Sequence, residues 1–494
     1  MSELVLENKN DLPKGWVKTK LEDIVESIID KDHTTPKYIK ENGIPLISPK
    51  DFTNNSIDFS NPKLISKIEY IQICKKCEPK FGDLLFSRIG TIGKVRKVPE
   101  NKIFNILHSI VLIRPNPKIA IQGYLFYLLQ TQSVQLQAKR DTKSVGTPDL
   151  GIVRIRNFDV ICPPLNEQKR IVAKIEELFP LLDSTKEILE KTKILLKQYR
   201  QSLLKSAFEG KLTIEWRNDN NEIIKEDKKI QNEISIELGD LKKQTHQENG
   251  TLHVSQLFEI PSDWIWARFY NIAKIGQGGT PSTNVQEYWN GDIPWLRSGD
   301  VRNNFIKNSN VLITKLGLQN SSTTLCSQGT VLLAMTGEGV TRGRSAVLEI
   351  EACANQSVAH IIPNKKRVLD KFLFYYLQSQ YWKIRSVYKG SNQPGLNVSI
   401  IKQFEMPIPS ISEQIIVVQK IEESFSLIQN SEKLVDSLLL QNDSMKNSIL
   451  KQAFEGKILP QDPNDEPAEI LLQKIKQEKQ KIINQSKRGK KNDK

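Results

Sequence analysis

The sequence predicts an α+β protein built from two repeated modules, each followed by one long helix. The segment from 166 to 210 recurs in pattern from 412 to 456, and both copies end in Ala-Phe-Glu-Gly. Ahead of each copy lies a longer region of short runs of branched residues separated by Gly, Pro and Asn, which is typical of strands and turns. The chain is therefore a tandem duplication in which each repeat supplies a mixed module and a helix.

The two recurring segments carry helix start and stop signals. Asn166 and Ser412 are good N-cap residues that follow prolines, and a glutamate comes next in both copies, where the helix dipole favours an anion. Gly210 and Gly456 can adopt the left-handed conformation that closes a helix. We therefore predict that each segment is a single helix between these signals.

Apolar residues inside both helices alternate in spacing between four and three, a heptad pattern sustained over about 65 Å. One small module rarely covers so long a stripe, so we expect the two helices to pair with each other; a helix packed only on its own module is the alternative. Pro180 can kink or interrupt the first helix. The predicted seam consists of Ile171, Ile175, Leu178, Leu182, Leu189, Leu196 and Leu203, and of Val417, Ile421, Ile428, Val435, Leu438 and Ile449.

The two modules share a scaffold but differ in the polar loops between its elements. Such divergence suits two different ligands of one chemical kind, and neutral drift of the loops is the alternative. The matched elements are extended segments at 44–47, 83–87 and 110–114 and a helix at 124–129, with counterparts at 293–296, 330–334, 358–362 and 372–377.

These signals divide the chain into six segments. The connector between the repeats and the C-terminal end are both highly charged, and a short helix is expected to start near Ala468. In order, the segments are the first module (1–165), the first long helix (166–212), a polar connector (213–258), the second module (259–411), the second long helix (412–458) and a basic tail (459–494).

The charge balance indicates a polyanionic partner. The chain has 71 Lys and Arg against 57 Asp and Glu, a formal net charge of +14. The N-terminus lacks the apolar region of a signal peptide, and no run approaches the length of a membrane span, so we expect a cytoplasmic protein. The five cysteines are scattered, which argues against a disulfide framework. Cys74 and Cys77 form a lone CxxC that is interpreted as two ordinary thiols, and no metal site is predicted.

Catalytic signals are weak. The glycine-rich stretch 90–94 fails the P-loop pattern because Val95 stands where Ser or Thr would hold magnesium, and no amino-methyltransferase Asn-Pro-Pro-aromatic segment occurs. Asp149, Glu167 and Lys169 match the loose acidic pattern of metal-dependent nucleases. The second repeat has lost the aspartate and the lysine, so we predict no catalytic residues; a single-chain nuclease or modification enzyme is the alternative.

What remains is binding chemistry in the loops. Cationic side chains can anchor phosphates, and Arg, Asn and Gln can bind base edges through paired hydrogen bonds. A coiled-coil scaffold without DNA binding is a further alternative. The candidate DNA-binding residues are Lys50, Arg88, Lys94, Arg96, Arg140 and Lys143 in the first module, and Arg297, Arg302, Arg342, Arg344, Lys389, Asn392 and Gln393 in the second.

Almost the whole chain resembles the specificity (S) subunits of type I restriction-modification systems. The resemblance rests on Pro163-Pro164-Leu165-Asn166-Glu167-Gln168 and its counterpart from Ile408 to Gln414, which precede the long helices. It also rests on 207–213 with Trp216-Arg217, on Gly82-Asp83-Leu84-Leu85-Phe86, and on 460–467. The second module departs from the Gly-Asp-Leu pattern with Gly329-Thr330-Val331.

The resemblance implies a fold, a function and partners. Each module would be a target recognition domain for one half of a bipartite, asymmetric DNA sequence. The helices would pair antiparallel as a coiled coil that fixes the gap between the half-sites. The chain itself would bind no cofactor and catalyse no reaction. Modification subunits, expected to be two, would bind S-adenosylmethionine and methylate adenine, and restriction subunits using ATP and magnesium would cleave in phage defence.

Overall fold

The structure is a computed structural model that describes residues 12–31, 36–53, 56–142, 147–227, 258–302, 305–337, 339–387 and 396–478. Contacts divide the chain into two compact units. The first unit is Met1–Leu189 with Ser437–Lys494, and the second is Glu190–Asp436. Each unit therefore contains one module together with a part of both long helices.

The strands of the first module are short and rich in branched residues. They are β1 (Val17–Lys20), β2 (Val25–Asp30), β3 (Tyr38–Ile39), β4 (Ile44–Ile47), β5 (Lys63–Ile65), β6 (Leu84–Ser87), β7 (Val95–Lys97), β8 (Asn105–Ile106), β9 (Ile110–Pro115) and β10 (Asp159–Cys162). They form one sheet in the order β2-β9-β6-β7, a second in the order β3-β5-β4-β8, and a β1-β10 pair. The predicted strands at 44–47, 83–87 and 110–114 are confirmed as β4, β6 and β9.

Both faces of the β2-β9-β6-β7 sheet are covered, which is why β6 is a continuous apolar run. Leu84 and Phe86 pack in a core with the helix that carries Tyr124, whereas Leu85 faces a second core with Phe104. The helices of this module are α1 (Lys67–Cys74), α2 (Gln122–Leu128), α3 (Gln132–Arg140) and α4 (Ile152–Arg156).

The second module repeats this plan. Its five-stranded sheet has the order β12-β19-β16-β17-β14, its three-stranded sheet the order β15-β13-β18, and β11 pairs with β20 as β1 does with β10. The strands are β11 (Ile265–Arg268), β12 (Ala273–Gln277), β13 (Trp289–Leu296), β14 (Phe305–Ile306), β15 (Leu312–Ile313), β16 (Val331–Ala334), β17 (Ser345–Leu348), β18 (Cys353–Ala354), β19 (Val358–Pro363) and β20 (Glu405–Ile408).

Helices also lie between the two modules and within the second module, where only the one at 372–377 was predicted. Residues 221–227 are also helical, whereas 228–257 of the predicted connector lie outside the described residues. The predicted C-terminal helix begins at 468 and is described to 478. The remaining helices are α5 (Leu165–Phe208), α6 (Ile214–Asp219), α7 (Phe269–Ile272), α8 (Lys315–Gln319), α9 (Asp370–Ser379), α10 (Tyr381–Val387), α11 (Val398–Lys402) and α12 (Ile411–Phe454).

The long helices α5 and α12 contain 44 residues each. They start one residue earlier than the predicted caps, because in α12 it is Ser410 whose hydroxyl accepts the backbone N–H of Glu413, at 3.2 Å. The predicted ends are confirmed: Gly210 has φ 73° and Gly456 has φ 69°. Pro180 lies inside α5 without interrupting it. Among the described residues no helix has the length and apolar character of a membrane span, and all five cysteines are free thiols.

In each unit the two long helices run antiparallel. In the first unit Lys186 pairs with Asp443 at 3.1 Å and Asp183 pairs with Lys446. In the second unit Lys193 pairs with Asp436 at 2.6 Å and Arg200 with Glu432 at 3.8 Å. Residue numbers rise along α5 as they fall along α12, and this is the antiparallel pairing that the family resemblance implies.

Most residues of the predicted seam are buried or half-buried, and those near the helix starts, such as Ile171 and Val417, belong to the module cores. Leu438 differs, because its side chain is 37% exposed. An α-helix drifts away from a strict seven-residue repeat, and Leu439 is half-buried instead. The buried seam residues are Ile171, Ile175, Leu182, Leu203, Val417, Ile421, Ile428 and Val435, and the half-buried ones are Leu178, Leu189, Leu196 and Ile449.

Asn442 is a polar residue buried in the first unit's helix pair. Its amide nitrogen donates to the carbonyl of Leu182 at 3.0 Å, and its Oδ1 has no partner among the described residues. A single buried amide in such a seam specifies register at a cost in stability. We expect Asn442→Leu to raise the free energy of unfolding by about 1 kcal/mol, measured by thermal and urea unfolding.

The exposed Asn447 on the same helix is the matched control. Asn447→Leu should leave the unfolding midpoint unchanged. A lower midpoint for Asn442→Leu alone would contradict this account of the seam, since it would mean that the amide stabilises the helix pair more than leucine packing does.

Candidate nucleic-acid interface

Three loops of the first module meet at one end of its β2-β9-β6-β7 sheet. They are the loop after β4, the β6–β7 hairpin loop and the segment before α4. The N–H of Gly90 in the hairpin donates to the carbonyl of Pro148 at 2.9 Å, and Arg96 Nε donates to the carbonyl of Ser56 at 3.1 Å. The fold therefore gathers segments that are far apart in sequence. Of the predicted site residues, Lys50, Arg88 and Lys94 lie on these loops, whereas Arg96 lies in β7 and Arg140 at the end of α3.

Arg88 lies inside this cluster and not on its surface. Its side chain is only 4% exposed and forms ion pairs with Asp149 at 2.8 Å and with Asp30 at 3.7 Å. These contacts connect β2, the hairpin and the segment before α4. Arg88 thus stabilises the loop arrangement, whereas the sequence predicted a surface contact.

Arg96 is also buried, at 7% exposed. Its guanidinium donates to the carbonyls of Ser56 and Thr53, and it stacks over the ring of Phe52 at 5.3 Å. Burial lowers the pKa of Arg96 from its usual value. This arginine holds the loop after β4 against β7.

The other described cations of the first module are accessible. Lys50, Lys94 and Arg140 are all exposed. Arg140 forms an ion pair with Asp141 at 2.9 Å, and this contact raises the pKa of Arg140. Lys143 lies outside the described residues. These exposed side chains can approach phosphates, because they hold their charge at the surface of the module.

The second module carries arginines on the corresponding loops. Its loop after β13 closes in the same way, since the N–H of Arg297 donates to Asp300 at 2.7 Å as that of Ser48 does to Asp51 at 2.7 Å. Arg297 is exposed, with its guanidinium 6.0 Å from the centre of the Trp295 ring. Of the other candidates, Arg302 is exposed, Arg342 and Arg344 are half-buried, and Lys389, Asn392 and Gln393 lie outside the described residues.

The structure assigns other partners to the acidic nuclease-like pattern. Asp149 is paired with Arg88. Glu167 is 2% exposed, and its carboxylate accepts the indole N–H of Trp16 at 2.9 Å. Lys169 is exposed. The two carboxylates thus belong to separate networks within the first unit, and both are engaged in packing contacts.

The second repeat uses the same contact. Glu413, at the start of α12, accepts the indole N–H of Trp264 at 2.9 Å and is 1% exposed. Arg217, which follows α5, donates to the same carboxylate at 2.7 Å. Sequence reasoning missed this role. The signal was present, because a tryptophan opens both modules and a glutamate starts both helices.

Each unit thus combines a module that has cationic loops with an antiparallel pair of long-helix segments, and this architecture is that of a two-module nucleic-acid-recognition protein. The family model for the type I restriction modification DNA specificity domain matches residues 13–193 and 261–438, one match in each repeat. The chain belongs to this family, the specificity subunits of type I restriction-modification systems.

Relatives across the family align along the chain. The specificity subunit of the type I restriction enzyme EcoKI from Escherichia coli (strain K12) is 24% identical over 95% of this chain and 96% of its own length. The putative MjaX specificity subunit of Methanocaldococcus jannaschii is 24% identical over 91% and 95%. The EcoBI subunit of Escherichia coli is 28% identical, and there the match spans 43% of this chain and 45% of the relative.

Solved structures agree in fold. A chain from a structure of a type I restriction-modification system matches with a TM-score of 0.63 and 16% identity, covering 90% of this chain and 99% of that one. The HsdS subunit from Thermoanaerobacter tengcongensis matches with a TM-score of 0.56 and 16% identity, covering 92% and 100%. The duplicated architecture with paired long helices is therefore the family fold.

Burial raises the pKa of Glu167 above its ordinary value, although the hydrogen bond from Trp16 and the charge of Arg170 oppose this. The folded state therefore holds this proton more tightly than the unfolded chain. The group's stabilising contribution is complete below the ordinary carboxyl pKa and is lost as pH rises through the raised folded pKa. Since Glu167→Gln keeps an oxygen acceptor for Trp16 and cannot ionise, we expect its stability relative to the native chain to increase over the pH range that begins at the ordinary carboxyl pKa of about 4.3 and rises from there.

Glu167→Ala should instead cost about 1 to 3 kcal/mol, because it leaves a buried indole N–H without its acceptor. Urea unfolding across this pH range measures both effects. Glu187→Gln, at an exposed position of α5, is the control and should follow the native pH profile. A native pH profile for Glu167→Gln as well would contradict the assignment.

Proposed function

We propose that this chain recognises a bipartite, asymmetric DNA sequence, one half with each module, and positions the catalytic subunits of a type I restriction-modification complex on it. The observation that carries the proposal is a shared scaffold with unlike cationic loop ends. Ser48 of the first module corresponds to Arg297 of the second, since their loops close with the same hydrogen bond. Arginine forks bind guanine edges and phosphates, whereas serine binds either base type, so unlike ends suit unlike half-sites.

The long helices give a physical reason for a split target. Both α5 and α12 continue from one compact unit into the other. A hydrogen-bonded helix pair hardly shortens, so a spacer of this kind would keep the half-sites at a set separation. We expect the complex to act where cellular DNA lies, in the cytoplasm.

The chemistry would come from partners. We assign S-adenosylmethionine and adenine methylation to modification subunits, and ATP, magnesium and cleavage to restriction subunits. The two carboxylates of the nuclease-like pattern are engaged in other contacts, Asp149 in an ion pair and Glu167 in a hydrogen bond. That engagement supports a recognition role for the chain itself.

An exposed apolar stripe on the helix pair supports docking of the modification subunits. Its members recur at heptad spacing on each helix, which suits an apolar helical partner. Both units have such a stripe, so we propose one modification subunit on each. The stripe contains Leu181, Ile188, Leu438 and Met445 in the first unit, and Leu195, Tyr199, Leu427 and Leu434 in the second.

Mapping of methylated adenines tests the recognition role. A host carrying this chain with its modification subunit should show one split motif that disappears when the chain is deleted. Exchange of residues 12–160 for the first module of another specificity subunit should change one half of the motif only. Methylation that persists without the chain, or a change in both halves after the exchange, would contradict the proposal.

Substitutions in the stripe test the docking role. Ile188→Glu with Leu438→Glu should release one of two modification subunits, because buried charge in an apolar helix contact is costly. Native mass spectrometry of the co-purified complex measures this. Ile68→Glu, at a 72% exposed position on α1, is the control and should leave the stoichiometry unchanged. A full complement of subunits in the double variant would place the docking surface elsewhere.

A further inference from the structure

A small polar pocket lies where two loops of the second module meet helices of the same unit. The pocket has a volume of about 180 Å³. Arg302 from the loop after β13 and Arg344 from the β16–β17 hairpin line it, together with Ser345 at the start of β17 and Gln201 on α5. None of its described lining residues is acidic. A pocket with two cations and no carboxylate favours an anion.

The arginines are positioned by their own loops. Arg302 Nε donates to the carbonyl of Gly299 at 2.9 Å, and Arg344 Nε donates to that of Val340 at 2.8 Å. Within the described part of the chain neither guanidinium has a carboxylate partner. These bonds fix the Nε edges, and the terminal nitrogens of each guanidinium supply the donors for an anion.

Ser345 provides an independent observation. Its side chain is 6% exposed, lines the pocket, and its hydroxyl has no hydrogen-bond partner among the described residues. A buried hydroxyl without a partner is costly, so such groups point to a ligand or a functional role. A bound oxyanion would accept a hydrogen bond from this hydroxyl.

The position of Ser345 carries a different residue in the first module. Ser87 and Ala334 close their hairpins with matching bonds to Lys94 and Arg344, so Ser345 corresponds to Val95. Val95 is an apolar residue that is 1% exposed in the first module's core. The hydroxyl that lines the pocket of the second module is therefore replaced in the first module by an apolar side chain packed in a core.

We propose that this pocket binds one backbone phosphate of the DNA half-site recognised by the second module. The inference rests on the proposed function and adds a named contact to it. The ligand is a phosphodiester in duplex DNA, and free inorganic phosphate is the competing source of the same chemistry. The pocket would fix the position of the second module on the duplex, since phosphate contacts position a protein and base contacts specify sequence.

A scan with neutral phosphates tests the proposal on the complex of the full chain with its modification subunit. Methylphosphonate linkages are placed one at a time along both half-sites of its methylation motif. One linkage in the second module's half-site should weaken binding about tenfold and reduce the slope of log affinity against log salt by about 0.9. In Arg302→Ala, Arg344→Ala and Ser345→Ala complexes, that same linkage should have no further effect.

Ser345→Ala separates binding from folding. Because it removes a hydroxyl without a partner, its unfolding midpoint should equal or exceed that of the native chain while its DNA affinity falls. Ser345→Val, which copies Val95, should reduce affinity further by filling the pocket. The control is Lys365→Ala with Lys366→Ala, exposed residues after β19 at the opposite end of the sheet from the β16–β17 hairpin.

The possible outcomes distinguish the pocket assignment from the proposed function. The pocket assignment would be overturned if the affinity losses of the variants added to those of every neutral linkage. It would also be overturned if the sensitive linkage lay in the other half-site. Competition by inorganic phosphate, at matched ionic strength and without any linkage dependence, would overturn it as well. If the native complex shows no preference for its split sequence, the proposed function fails; a normal preference with indifferent variants refutes the pocket alone.

Discussion

A 44-residue amphipathic helix has more apolar surface than one small module can cover, and the rest of the structure depends on this constraint. Each long helix packs on its own module near its start, as Ile171 does, and on the other repeat's module near its end, as Phe454 does. The ring of Phe454 lies 5.1 Å from that of Tyr124, and Phe208 lies 5.2 Å from Phe372 in the second unit. Both cores are therefore built from both repeats, so folding of the two repeats is coupled.

The start of each long helix has the same buried glutamate in both repeats, but the charged residues around it differ. Both bury a glutamate against an indole N–H, at Trp16 and at Trp264. In the second unit the cation is Arg217, on the segment that follows the other repeat's helix. In the first unit the following segment supplies an acid instead, and Asp465 pairs with Arg170 on α5 at 2.6 Å. A buried carboxylate needs donors, but the chain position of the cation is free to vary.

Local signals predicted the elements well and the roles of polar side chains poorly. Branched runs located β4, β6 and β9, and Gly210 and Gly456 located the helix ends, because these features depend on residues close in sequence. Arg88 and Arg96 look like surface cations in sequence, yet both are buried by acceptors far along the chain: Asp149 for Arg88 and the Ser56 carbonyl for Arg96. The seam prediction for Leu438 was wrong for a related reason. A strict seven-residue repeat ignores the gradual rotation of its positions around a real α-helix.

The two hairpins show how this scaffold changes its surface without changing its sheet. In the first module Arg96 points inward and holds the loop after β4; the corresponding residue of the second module is Ala346, which is fully buried. The loop position held by Arg96, Thr53, corresponds to Arg302, whose guanidinium instead lines the anion pocket. Strand pairing is the same in both hairpins, because it uses backbone groups only. The first module thus has a buried arginine, Arg96, where the second has an exposed one, Arg302, at a neighbouring position, and the strand pairing is unchanged. In this way two copies of one scaffold can present different side chains to each half of a DNA target.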